Sequence, residues 1–102
     1  MLEKIKKALR LSSDALNDHI TDLVTSCKAE MLTAGICSEQ LSHDASIEAI
    51  TDPLLQRAAI LYCKIDFSET DEEAQRYQKA YDKLLVSLAL SGDYIAQEVE
   101  GE

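Results

Sequence analysis

Three observations predict an all-α domain. Apolar residues recur at i, i+3 or i+4, and i+7 spacing along most of the 102-residue chain. Glycine and proline are scarce, at 3 and 1, too few for the tight turns of an all-β fold. Two sites carry helix punctuation: Asp52-Pro53 as a start and Gly35 as a stop. The expected architecture is a small helical domain with three long helices, a short N-terminal helix, and a long loop between the second and third helices.

The short helix is expected over residues 2–11, with Leu2, Ile5, Leu9 and Ala8 on one face. Lys4, Lys6, Lys7 and Arg10 against Glu3 make it a net-positive stretch. Ser12 and Ser13 break the pattern, and Ser12, Ser13 or Asp14 is expected to cap a second helix running to Ala34. Leu16, Ile20, Leu23, Val24, Cys27 and Met31 form its apolar stripe. Gly35 can take the left-handed conformation that closes it.

Residues 36–49 read as a loop with room for one helical turn, and Leu41 and Ile47 are its candidate anchors. So long a connection in so small a domain is often functional. Asp52 then caps a helix whose first position is Pro53, where a missing amide costs nothing. Leu54, Leu55, Ala58, Ala59, Leu61, Tyr62 and Ile65 cover more than one stripe, which predicts a central helix buried on two sides.

After a turn at Phe67-Ser68-Glu69-Thr70, Ser68 or Thr70 can cap the last helix, and Asp71, Glu72 and Glu73 suit the positive end of its dipole. Its expected buried face is Ala74, Tyr77, Tyr81, Leu84, Leu85 and Leu88, and Gly92 is its expected end. Residues 1–92 then form one domain. Residues 93–102 form an acidic tail whose sizeable apolar residues are Tyr94, Ile95 and Val99.

A chain this size buries roughly two-thirds of its unfolded surface and folds alone. The net charge of −9, from 19 acids and 10 bases, disfavours tight binding to nucleic-acid backbones. The longest apolar runs, such as Leu84-Leu85-Val86, are too short to cross a bilayer, and no signal peptide is expected. Three cysteines without a CxxC pair read as reduced thiols.

Candidate chemistry is thin. Asp14, Asp18 and Asp22 at i, i+4 and i+8 form an acidic line, which could bind a divalent cation, line a solvated face, or meet a basic patch on another copy. Cys27, Cys37, Cys63, His19 and His43 match no common zinc spacing, and Cys27 and Cys63 sit on apolar faces. There is no Gly-rich phosphate loop, no GxSxG and no HExxH. No catalytic residue, cofactor or metal is expected. The residues alone describe a small acidic helical interaction module.

The order of the signals is more specific than any one of them. The chain opens Met1-Leu2-Glu3-Lys4-Ile5-Lys6-Lys7-Ala8-Leu9-Arg10-Leu11 ahead of a Ser-Ser-Asp helix start. Asp52-Pro53-Leu54-Leu55 leads through Ala58-Ala59-Ile60-Leu61-Tyr62 to Lys64 and Phe67. Arg76-Tyr77-Gln78-Lys79-Ala80-Tyr81 runs on to Leu88-Ala89-Leu90-Ser91-Gly92-Asp93-Tyr94. This order resembles the phage head–tail connector (head-completion adaptor) family of long-tailed bacteriophages and prophages, over residues 1 to about 94. The loop after Gly35 and the tail after Tyr94 carry none of the resemblance.

The resemblance implies a structural virion protein, made in the host cytoplasm and assembled at the head–tail interface. It implies a homo-oligomeric ring, expected to be dodecameric, beneath the portal protein. Such a ring extends the DNA channel and docks a further connector, stopper or tail-completion protein. DNA passes through without specific binding, and no membrane is involved. Two interaction sites are expected on this basis. Tyr94, Ile95 and Val99 dock on the portal or a neighbouring subunit. Lys4, Lys6, Lys7 and Arg10 pair with Asp14, Asp18 and Asp22 of the next copy, each pair contributing roughly 0–1 kcal/mol. The alternative is a soluble helical adaptor or regulator that holds a partner helix in a groove.

Overall fold

The computed structural model, which describes residues 1–42 and 44–91, is all-helical among those residues. Four α-helices follow in order: α1 (Leu2–Leu9), α2 (Asn17–Thr33), α3 (Pro53–Phe67) and α4 (Asp71–Leu90). Two single 3-10 turns, Glu39–Leu41 and Ile47–Ala49, interrupt the connection between α2 and α3.

Helix α3 is the axle of the domain, and α1, α2 and α4 each pack on it. Its sequence permits this, because Ala58, Ala59 and Cys63 are small and fully buried, so neighbouring helices approach closely. Asp52 starts it as expected: its Oδ1 accepts the N–H groups of Leu54 (2.8 Å) and Leu55 (3.4 Å). Leu54, an expected member of its apolar face, stands 46% exposed. Thr70 caps α4 by accepting the Glu73 N–H at 3.1 Å, and Glu73 reaches back to the Glu69 N–H at 3.1 Å. On α4 only Tyr81 and Leu88 are fully buried; Ala74, Tyr77, Leu84 and Leu85 are half-buried.

Helix α2 begins three residues later than Asp14. Ser13 accepts the Ala15 N–H at 3.0 Å in a turn before the helix, and Leu16 at the helix start supplies no side-chain cap. Asp14 therefore stands outside the helix that was expected to carry it, and only Asp18 and Asp22 remain on its exposed face.

Helices α1 and α2 end alike. Leu11 N–H bonds to Lys6 C=O and Arg10 N–H to Lys7 C=O; Ile36 N–H bonds to Met31 C=O and Gly35 N–H to Leu32 C=O. Each is the paired bond pattern that needs one residue in the left-handed region. Gly35 takes it at φ +97° and Arg10 at φ +60°, where a side chain is strained.

The connection from α2 to α3 is part of the core. Leu41 and Ile47 are buried, as the anchors expected from the sequence, and Ile36 and Ile50 join them. Polar side chains hold its backbone. Gln40 Oε1 accepts the Thr51 and Asp52 N–H groups at 2.8 and 2.9 Å. Gln56 Nε2 donates to Ile50 C=O at 2.9 Å. The Lys28 amine, 5% exposed as a residue, donates to Ala45 C=O at 2.7 Å. Glu48 accepts the Leu2 N–H at 3.1 Å and the Met1 amine at 2.6 Å, so this connection also closes the start of α1.

Candidate interaction surfaces

The basic residues of α1 divide into bound and free. Lys6 is buried along the stem and its amine meets Asp14 Oδ1 of the same chain at 2.6 Å. The backbone reversal at Arg10 folds residue 14 back over α1 and forms this pair within one chain. The Lys6 ammonium holds the Asp14 carboxyl below the usual carboxylate range, first by hydrogen bonding and then by charge. Lys4 donates to Gln56 Oε1 at 2.7 Å. Lys7 and Arg10 are exposed and have no carboxylate partner among the described residues. Asp18 and Asp22 stand on open helix surface. Tyr94, Ile95 and Val99 lie outside the described residues.

A cleft of about 230 Å³ opens between α2 and α4, floored by α3. Tyr62, Ile65 and Asp66 of α3, Leu23 and Glu30 of α2, and Gln78 and Tyr81 of α4 line it. The Tyr81 hydroxyl donates to Glu30 Oε1 at 3.1 Å and lies 3.6 Å from the Cys27 thiol. The Tyr62 and Tyr81 rings meet at 5.4 Å in a tilted corner. Burial, with the Glu30 carboxylate close by, pushes the Tyr62 hydroxyl up to about 12. Burial drives Tyr81 up further, so both stay neutral donors. Asp66 Oδ2 meets His19 Nε2 at 2.8 Å on the rim. Among the described residues no lysine or arginine lines this cleft. The sequence marked Tyr62 and Tyr81 as packing residues, and nothing in its spacing brings Glu30 to Tyr81 across 51 positions.

The side of α3 turned away from this cleft carries two bases of its own. Arg57 and Lys64, seven residues apart, share a face about 140° around the helix from Tyr62, Ile65 and Asp66. A second, shallow cleft of about 410 Å³ lies there, with Arg10, Lys64, Phe67, Glu69, Glu73 and Tyr77 in its wall. The Lys64 ammonium sits 5.4 Å over the Tyr77 ring. Arg57 is exposed and has no carboxylate partner among the described residues.

The far end of α4 shows apolar surface to water: Val86 and Leu90, one turn apart, are 59% and 77% exposed. The thiols separate by burial. Cys27 and Cys63 are in the core, where desolvation pushes both up to about 12, and Cys37 is exposed. Among the described residues no three His, Cys, Asp or Glu side chains converge to hold a metal, and no helix is long and apolar enough to cross a membrane. His43 lies outside the described residues.

Two faces carry chemistry suited to contact, and neither carries the convergent acid, base and nucleophile of a catalytic centre. No curated protein and no solved structure matches this chain. A family model described as phage connector protein matches residues 1–95, a span that takes in all four helices and both faces of α3. On that match, which covers nearly the whole chain, the protein belongs to the phage connector protein family.

Proposed function

We infer that this chain forms a ring beneath the portal at the capsid vertex, extends the DNA channel, and presents a docking surface to the next connector or tail component. The family match over residues 1–95 carries this reading. The physical chemistry is compatible with it. A net charge of −9 repels nucleic-acid phosphates, which suits a conduit along which DNA slides. The same charge, multiplied around a ring, keeps free copies apart until a portal organises them. The apolar residues Tyr94, Ile95 and Val99 come after the exposed Val86 and Leu90 in the sequence and give the tail side chains that gain from burial on a partner.

Native mass measurement tests the reading, first on the chain alone and then with the portal ring of the same phage or prophage. Uptake of about one copy per portal subunit is the expected result. No uptake at high concentration, with the portal ring intact, refutes it and favours a soluble adaptor. A chain truncated after Gly92 should lose portal binding while keeping its helix content. Binding that survives truncation removes the tail from the docking surface.

A further inference from the structure

The two opposed faces of α3 complement one another. The cleft between α2 and α4 carries two carboxylates, Glu30, which accepts the Tyr81 hydroxyl through one oxygen, and Asp66, which meets His19 on the rim through one oxygen, together with two tyrosine hydroxyls and a corner of two rings. Planar guanidinium groups suit such a place, because they stack on aromatic faces while bonding to a carboxylate. At about 230 Å³ the cleft is smaller than the roughly 300–1,000 Å³ of ordinary small-molecule sites, which fits one inserted side chain better than a metabolite. On the other side, Arg57 and Lys64 share one face of α3 by helical position, and Arg10 lies with Lys64 in the wall of the second cleft, a ridge of three bases; neither arginine has a carboxylate partner among the described residues. Asp18 and Asp22, the acids expected to meet α1 of another copy, have no such walls around them.

We propose that a second copy of this chain docks head to tail, its Arg10–Arg57–Lys64 ridge facing the Glu30–Asp66 cleft of the first. The charge complementarity lies on two different surfaces of one molecule, so the contact is heterologous. A heterologous contact does not end at a pair: it repeats from copy to copy and closes into a ring when the rotation permits. The inference rests on the ring reading above and names the surfaces that would build it. Glu69 and Glu73, which line the ridge's side of the molecule near Lys64, limit how much positive field the ridge presents. Because the contact is built on exposed opposite charges, assembly should weaken as salt rises.

Charge reversal in separate copies tests the proposal. R10E/R57E changes only exposed residues and reverses the ridge. E30K/D66K reverses the cleft. Each variant alone, checked for helix content by circular dichroism, should lose multi-copy uptake on the portal ring by about tenfold or more. Mixed in equal amounts, they should recover it, because each reversed ridge then meets a reversed cleft. Should E30K/D66K fail to fold, E30Q/D66N replaces it, with loss of uptake as its readout; unchanged uptake by that variant overturns the proposal. Wild-type uptake by folded R10E/R57E overturns it, as does a mixture of folded variants that binds no better than its parts. If the wild-type chain is taken up and the variants match it, this interface alone is wrong. If the wild-type chain is not taken up, the ring reading falls with it.

Discussion

Leu41 sits in a connection that a sequence reading treats as a loop, yet it is fully buried and shares a core with Val24, Met31 and Leu55. Replacing it with alanine should therefore behave as a core truncation. Buried Leu→Ala changes cost about 2–5 kcal/mol, from lost burial and the cavity left behind, and a value of about 3 suits a site braced by Gln40, Lys28 and Gln56 that has little freedom to collapse. Unfolding entropy is about 2.1 cal/mol/K per residue, so over 102 residues the Leu41→Ala loss lowers Tm by about 14 °C. Leu54→Ala is the control, the same chemistry at a side chain 46% exposed, and should cost under about 1 kcal/mol. Urea unfolding followed by circular dichroism measures both, with unchanged m-values as the sign that the two variants share one unfolding transition. Equal losses for Leu41→Ala and Leu54→Ala would show that the connection is not part of the core.

Three further outcomes follow from local structure. Arg10→Gly relieves the left-handed strain of a side chain at φ +60°, and the added freedom of the unfolded glycine offsets part of that relief, so a net gain of about 0.5 kcal/mol is expected in urea midpoints. Asp14 has a folded-state pKa held below its unfolded value by Lys6. Its stabilising contribution is therefore present above the usual carboxylate range and lost as pH falls through the folded value; Asp14→Asn should flatten the decline of the urea midpoint below about pH 4, and an unaltered decline refutes the pairing. Of the three thiols, Cys37 should react with a disulfide reagent in the native protein, while Cys27 and Cys63 react only on unfolding; Cys37→Ser should abolish the fast phase.

The parts of the fold that sequence could foretell are those set by neighbouring residues. Asp52-Pro53, Thr70 and Gly35 act within a few positions of themselves, and each does in the structure what its chemistry suggests. The start of α2 escaped because two uses competed for one segment. Ser13 closes a turn, and the Asp14 carboxylate goes to a lysine eight residues earlier, so neither caps the helix. Ile36 and Ile50 escaped because core residues in irregular backbone have no period to betray them. Lys28 escaped because a buried amine depends on a distant carbonyl, here that of Ala45 across 17 positions. The cleft is the extreme case: Glu30, Tyr62 and Tyr81 come from three helices, and their juxtaposition follows only from how α2 and α4 lean on α3.

The fastening of α1 bears on how the chain is made. Its eight residues are fewer than the roughly 12–15 an isolated helix needs to hold in water. Apart from Asp14, which is close in sequence, the groups that secure it, Glu48 on the Leu2 amide and Gln56 on the Lys4 amine, lie 46 and 52 positions downstream. On a ribosome adding about 5–20 residues each second, α1 leaves several seconds before its clamps exist. It should therefore travel as an unsettled basic segment during synthesis and settle only once α3 has emerged, so its place is fixed by residues made well after it.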